Sequence, residues 1–181
     1  MQVEKTPLND CLLIKPTVFE DHRGVFLETY HRKRLAEFSG IDAEFVQDNQ
    51  SVSHFGVLRG LHFQHGEHAQ TKIVRVIHGK VLDVVVDLRP ESSTYKKTFS
   101  VILDDENLYQ LYVPKGFGHG FLTLSEKSVF SYKCDNYYTP GSEGGIRYDD
   151  PELAINWNFP EEEFILSEKD KKLPFLKDIS L

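Results

Sequence analysis

Arg59-Gly60-Leu61-His62-Phe63-Gln64 decides how the rest of the chain is read, together with Lys72-Ile73-Val74-Arg75-Val76-Ile77 shortly after it. In both stretches a charged or titratable side chain stands among apolar residues that favour burial. If Leu58 to Phe63 is a strand, successive side chains alternate between its faces. Leu58, Gly60 and His62 then share one face, and Arg59, Leu61 and Phe63 share the other. Downstream, Pro114-Lys115-Gly116-Phe117-Gly118-His119-Gly120-Phe121 carries a second histidine into an apolar strand out of a glycine-rich turn. Two such strands facing each other form an apolar pocket with polar tips, the usual character of a small-molecule site. The pattern predicts a barrel built around that pocket.

The bulk properties agree with a single folded domain. A chain of 181 residues suits one domain with a sizeable core, and 40% hydrophobic and 12% aromatic residues are those of a folded protein. A formal charge of -7 argues against a general nucleic-acid or anionic-membrane binder. Cys11 and Cys134 lack the spacing of a metal knuckle or redox pair, and read as buried free thiols of a reducing cytoplasm. Met1 to Asp10 is polar, without the apolar run of a secretion signal, and no stretch approaches the ~20 apolar residues of a membrane span. These features predict a cytoplasmic protein.

Along the chain, Leu12 to Ile14 and Val25 to Tyr30 read as strands, with a turn at Asp21-His22-Arg23-Gly24. His31 to Phe38 is a short helix, with Leu35 and Phe38 on one stripe and Gly40 at the stop. Phe45 to Val52 alternates Gln47, Asn49 and Ser51, a polar face that is exposed or lines a wet pocket. Strands then crowd the middle: Val57 to Phe63, Lys72 to Ile77, Val81 to Leu88, Thr98 to Leu103, Leu108 to Val113, Gly120 to Leu124 and Val129 to Lys133. His78-Gly79 reads as a hairpin turn between two of them. Val84-Val85-Val86 does not alternate, so that strand buries both faces. Many short strands with little helix indicate an all-β sandwich or barrel. Asn136 to Gly145 is loop-forming, with the character of a lid. Ser167, followed by acidic residues, can cap a short C-terminal helix. One domain spans 1–181: an N-terminal arm over about 1–45, a barrel core over about 46–135, then the lid loop and tail.

His62, His65 and His68 invite a metal reading, but a three-residue step reverses the face of a strand. Gly66 and its polar neighbours place His65 and His68 on a surface loop. Pro114-x-Gly116-x-x-His119 resembles the second motif of the cupin superfamily. Metal-binding cupins pair it with His-x-His. Here that place reads His62-Phe63-Gln64, so an amide stands at the second ligand position, and no metal is expected. The resemblance predicts a cupin-type jelly-roll barrel with short peripheral helices, N-terminal strands and a helical C-terminal tail, its His62 free to act as a base.

Seven motifs in order make the resemblance closer. Asp21-His22-Arg23-Gly24, Gln47-Asp48-Asn49, Arg59-Gly60-Leu61-His62, Lys72-x-Val74-Arg75-Val76, Pro114-x-Gly116-x-x-His119-Gly120-Phe121, Tyr132-Lys133 and Asp149-Asp150-Pro151 cover nearly the full length. Together they resemble the dTDP-4-dehydrorhamnose 3,5-epimerase family. The resemblance implies inversion of C3 and C5 of dTDP-4-keto-6-deoxyglucose, without metal or organic cofactor. Removing a proton α to a ketone requires a base, a stabiliser for the enolate oxygen and an acid on the far face. By resemblance His62 is the base, suited to proton transfer near neutral pH, and Asp170 fixes its tautomer. Lys72 offers a cation to the enolate oxygen, a contribution of ~3–4 kcal/mol for a well-placed donor. Tyr132 reprotonates carbon from the opposite side.

The same resemblance assigns the substrate's other contacts. Arg59 and Arg23 suit the diphosphate, Phe26 and Tyr138 the thymine face, and Gln47 and Asn49 its amide edge, with Glu28, His119 and Glu143 in or near the pocket. It further implies a homodimer in which the Arg23 and Phe26 positions reach the neighbouring subunit's site. Phe63 stands where many relatives have Tyr, and Tyr148-Asp149-Asp150 replaces Trp-Asn-Asp. Neither departure touches the acid–base groups. Both bear on the sugar end and leave open a single-carbon epimerase; the separate alternative, a non-catalytic cupin that binds a sugar nucleotide, has no need of His62, Lys72, Tyr132 and Asp170 together.

Overall fold

The structure, a computed structural model, describes residues 1–179. Its strands follow one another as β1 (Gln2–Lys5), β2 (Leu12–Lys15), β3 (Val18–Asp21) and β4 (Gly24–Leu27), then helix α1 (Arg32–Ser39). After it come β5 (Gln47–His54), β6 (Leu58–Gln64), β7 (Lys72–His78), β8 (Lys80–Asp87) and β9 (Thr98–Asp104). The last are β10 (Gln110–Val113), β11 (Phe117–Thr123), β12 (Lys127–Cys134) and β13 (Glu143–Gly145). A six-stranded sheet runs β1-β2-β10-β7-β12-β5, and a five-stranded sheet runs β13-β6-β11-β8-β9, both antiparallel. The two sheets form the all-β barrel that the strand density predicts, of the jelly-roll type that the resemblance implies.

Apolar side chains occupy three layers. Between the sheets lie Val74, Val76, Val85, Leu111, Phe121 and Phe130. Outside the five-stranded sheet, Leu58, Leu61, Leu82, Val84 and Val86 pack with Ile146, Trp157 and Leu176 of the C-terminal tail. Outside the six-stranded sheet, Leu12, Ile14 and Ile73 receive Leu35 of α1. β8 therefore buries Val84 and Val86 on one face and Val85 on the other, as its lack of alternation predicts; each such side chain is worth about 1.5–3 kcal/mol.

Four local expectations are corrected. His78-Gly79 is not a hairpin turn: β7 pairs with β10 and β12, whereas β8 pairs with β9 and β11. It is a corner between the sheets. Gly79 is required there, at φ +83°, because a Cβ would lie 2.1 Å from the Lys127 carbonyl oxygen. In α1, Leu35 is buried but Phe38 points outward. The tail is no continuous helix but short 3₁₀ turns at Glu161–Glu163, Asp170–Lys172 and Leu176–Asp178. Ser167 stands ahead of the second of them, whose N-cap position is Lys169, and its Oγ accepts the Asp170 N–H at 3.0 Å.

The fourth correction shapes the site. In the pairing of β6 with β11, His62 faces His119 and Arg59 faces Phe121, so two residues on one strand, Gly60 and Leu61, oppose one on the other, Gly120. This is a β-bulge. The Gly60–Leu61 peptide within it is cis, and Gly60 takes φ +124°. Leu58 and Leu61 consequently share the outer face, with Phe63 packed beside them and also touching the cavity, while Arg59 and His62 both line the inner cavity. Simple alternation had separated them. Among the described residues no helix is long and apolar enough to cross a membrane.

Candidate active site

A cavity of about 240 Å³ opens between the two sheets. The five-stranded sheet contributes Arg59, His62 and Gln64 from β6 and His119 from β11; the six-stranded sheet contributes Ser51, Lys72, Phe130 and Tyr132. Tyr138 and Glu143 stand at its rim.

His62 Nε2 lies 2.6 Å from Asp170 Oδ1, and Asp170 is buried. Burial alone would raise the Asp170 pKa. The hydrogen bond and charge of His62, the Ser167 hydroxyl and the Lys169 ammonium outweigh it, and hold the carboxyl below its ordinary value. An ionised Asp170 keeps the imidazole proton on Nε2 and leaves Nδ1 with a free lone pair. The tail that carries Asp170 is itself anchored, through the turn that follows, Leu176–Asp178. Asp150, from Asp149-Asp150-Pro151, is buried and accepts the N–H groups of Glu152, Leu153 and Leu176 at 2.9, 3.1 and 2.6 Å. That motif ties the tail down.

Lys72 has no carboxylate within ion-pair distance among the described residues. Its ammonium is surrounded by protein on the cavity wall, and desolvation lowers its pKa more than Cys134, Asp83 and Glu143 raise it. Its Nζ lies 5.8 Å from the centre of the Tyr132 ring. The Tyr132 phenol is pushed up, chiefly by burial, so it remains protonated at neutral pH.

Other side chains were not anticipated. His119 Nε2 lies 2.8 Å from Asp83 Oδ2, and both residues are buried. A carboxylate inside the apolar run Val81 to Val86 requires such a partner, and that was the available signal for Asp83. Lys169 pairs with Glu143 at 2.5 Å, next to Asp170 in sequence. Its signal was only adjacency to an expected site residue.

Some expected residues lie apart from this cavity. Arg23 and Phe26 line a separate surface depression on the β3–β4 ribbon, where Arg23 pairs with Asp21. Glu28 pairs with Arg34. Gln47 and Asn49 are bonded within the protein: Gln47 Nε2 donates to Asn49 Oδ1, Gln47 Oε1 accepts the Tyr138 N–H, and Asn49 Nδ2 lies 3.8 Å from Cys134 Sγ. His65 is exposed and His68 half-buried on the loop after β6. No group of three His, Cys, Asp or Glu side chains among the described residues is placed to hold a metal ion.

The sequence pattern of the dTDP-4-dehydrorhamnose 3,5-epimerase family matches residues 5–178. The chain belongs to that family. It is 49% identical over 179 residues to the dTDP-4-dehydrorhamnose 3,5-epimerase of Salmonella typhimurium, covering 97% of this chain and 96% of that one. Among solved structures, the Elizabethkingia anophelis dTDP-4-dehydrorhamnose 3,5-epimerase is 54% identical with a TM-score of 0.95, covering 98% of this chain and 97% of that one. A Legionella pneumophila dTDP-6-deoxy-D-glucose-3,5-epimerase, solved with dTDP-4-keto-L-rhamnose, is 45% identical with a TM-score of 0.95 over 99% and 94% of the chains. The fold of this family member is therefore the cupin-type barrel that the motifs imply, and its class is isomerase.

Proposed function

We propose that this chain inverts C3 and C5 of dTDP-4-dehydro-6-deoxy-D-glucose to give dTDP-4-dehydro-L-rhamnose, with no metal or organic cofactor. One observation carries the mechanism: His62 and Tyr132 project into one cavity from opposite sheets. With the sugar ring between them, His62 Nδ1 takes the proton from the carbon beside the ketone, and the C–H electrons move into an enolate. Asp170 stabilises the imidazolium that results. Lys72 donates to the enolate oxygen. The Tyr132 phenol then delivers a proton to the other face of the carbon, which inverts it. The phenolate and imidazolium are reset by exchange with solvent. Repetition at the second carbon flanking the ketone completes the reaction.

At the cavity mouth, Arg59 suits the diphosphate and Tyr138 the nucleobase face, while His119 and Glu143 suit the sugar hydroxyls. Gln47 and Asn49 suit the nucleobase edge. Arg23, Phe26 and Glu28 are assigned to the neighbouring site of a homodimer. Support comes from the β3–β4 ribbon, which pairs with no other strand among the described residues and leaves Val18, Phe19, Val25 and Phe26 exposed. Buried, unpaired Cys11 and Cys134 suit a reducing cytoplasm.

Turnover of dTDP-4-dehydro-6-deoxy-D-glucose in deuterium oxide, followed by NMR of the product, tests the assignment. Deuterium at both C3 and C5 with L-rhamno configuration is the expected outcome. Label at one carbon alone makes the protein a single-carbon epimerase. Binding without label makes it a non-catalytic cupin.

A further inference from the structure

Gln64 occupies the place that a metal-binding cupin gives to its second ligand, two residues beyond His62 on the same face of β6. Its side chain is buried, and its amide groups are engaged elsewhere. Nε2 donates to the His68 carbonyl at 2.8 Å and to the Tyr137 carbonyl at 3.2 Å, and Oε1 accepts the Thr139 N–H at 2.8 Å. Two further glutamines grip the same segment. Gln47 accepts the Tyr138 N–H at 2.9 Å, and Gln70 donates to the Asn136 carbonyl at 2.9 Å. Every residue from Asn136 to Thr139 thus has a backbone group held by a glutamine amide. The sequence of this segment suggests a mobile lid, whereas its bonding is that of a fixed shelf. Tyr138, in the middle of it, stands half-exposed at the cavity rim.

We propose that Gln64 is a positioning residue for nucleotide recognition: its amide fixes the Asn136–Thr139 shelf so that the Tyr138 ring is pre-set to receive the nucleobase. The inference rests on the proposed role of Tyr138. An amide is needed for this task. A carboxylate at Gln64 would face two carbonyl oxygens with no hydrogen to offer, and an apolar side chain would leave three part-buried backbone groups without their partner. Pre-setting an aromatic ring removes an ordering cost from binding. The effect therefore falls on affinity for the nucleotide end, and much less on proton transfer at the distant sugar carbons.

The test uses Gln64→Glu, Gln64→Met, Tyr138→Ala and the Gln64→Met/Tyr138→Ala double variant, with calorimetric Kd for dTDP, kcat, KM and amide hydrogen exchange. Gln64→Met is expected to raise the dTDP Kd and KM by about tenfold, and to lower kcat less than about threefold. Exchange at Tyr137–Thr139 should rise. In the double variant the Kd should match that of Tyr138→Ala alone, because both substitutions remove one interaction. Should Gln64→Glu fail to fold, the near-isosteric Gln64→Met carries the test. If Tyr138→Ala leaves the dTDP Kd unchanged, the role of Tyr138 is wrong. If Tyr138→Ala weakens dTDP but Gln64→Met does not, or if the two effects simply add, the positioning role of Gln64 is overturned.

Discussion

His62 and Asp170 meet at 2.6 Å although 108 residues separate them in sequence. The contact joins a strand of the barrel to a turn of the tail, so the proposed base is complete only when the tail is docked. Asp170→Asn removes the charge that stabilises the imidazolium and weakens the control over the tautomer. A fall in kcat of about 10²–10⁴ is expected, with the dTDP Kd within about twofold. Solvent-deuterium exchange and calorimetry read the two quantities. A stability effect follows as well. The Asp170 carboxyl is held below its ordinary value in the fold, so it adds stability above that ordinary value, about pH 4. The contribution is lost as pH falls through the folded-state value. Asp170→Asn should therefore have a lower Tm than the parent at pH 7, and the gap should close below about pH 4.

In the proposed mechanism Tyr132 and His62 divide the reaction between opposite walls, so removing the phenol should separate exchange from inversion. Tyr132→Phe keeps the base and the enolate stabiliser. Proton removal continues and deuterium enters the sugar from the His62 side, while the inverted product forms about 10²–10⁴ times more slowly. NMR of the recovered sugar distinguishes labelled substrate from labelled product. Unchanged inversion would remove Tyr132 from the mechanism.

Lys72 is a cation that the fold tolerates at a cost. Desolvation lowers its pKa from the ordinary lysine value, so the charged form destabilises the folded state at neutral pH. Lys72→Met is expected to abolish turnover and yet raise the Tm at pH 7. The sign can be followed with pH. The gap is full below the folded-state pKa of Lys72 and closes as pH rises from there to about 10.5, where the unfolded chain also loses the proton. A lower Tm for Lys72→Met at pH 7 would mean that the ammonium stabilises the fold.

The proposed exchange of the β3–β4 ribbon between subunits of a homodimer can be tested by complementation. Arg23→Ala and His62→Ala each damage a different half of a shared site. Mixing the two chains under subunit-exchange conditions should restore activity that neither has alone, because one site of each mixed dimer receives both intact residues. Sedimentation should give a dimer. A failure to complement would return Arg23 to the surface of its own chain.

The strands, and the histidines carried on them, were legible because apolar period and turn chemistry are local properties. Leu35 and Val84-Val85-Val86 lie where their neighbours in sequence predict. Three kinds of feature were not legible. His78-Gly79 has the composition of a hairpin turn, but whether adjoining strands pair or change sheet depends on the partners competing for their edges. Gln47 carries the same amide whether it meets a ligand or the Tyr138 backbone. Asp83 becomes a partner for His119 only through the register of β8 with β11, which places Asp83 opposite Phe121. Asp170 was named from family resemblance alone, since no local pattern links the tail to β6.

The bulge at Gly60 is where local reading failed most consequentially, and it can be tested directly. A Cβ on Gly60 would lie 2.5 Å from the Gly120 Cα and 2.8 Å from the His119 carbonyl oxygen, at a φ of +124° that L side chains rarely adopt. All the near atoms are backbone, so neither strand can yield without disturbing the β6–β11 pairing. Gly60→Ala is expected to cost about 2–5 kcal/mol, from conformational strain and overpacking together, and to lower the Tm by roughly 5–15 °C. Gly66→Ala is the control, since Gly66 also has a positive φ, +59°, but nothing lies within 4 Å of its Cβ position. It should lose only about 1–2 kcal/mol. In whatever fraction of Gly60→Ala folds, relaxing the bulge would let β6 drift toward regular alternation and turn Arg59 away from the face it shares with His62. KM should then rise more than kcat falls, because Arg59 is assigned to the diphosphate and His62 to the carbon. Equal thermal losses in the two variants would mean that close approach of β6 and β11 does not hold the bulge.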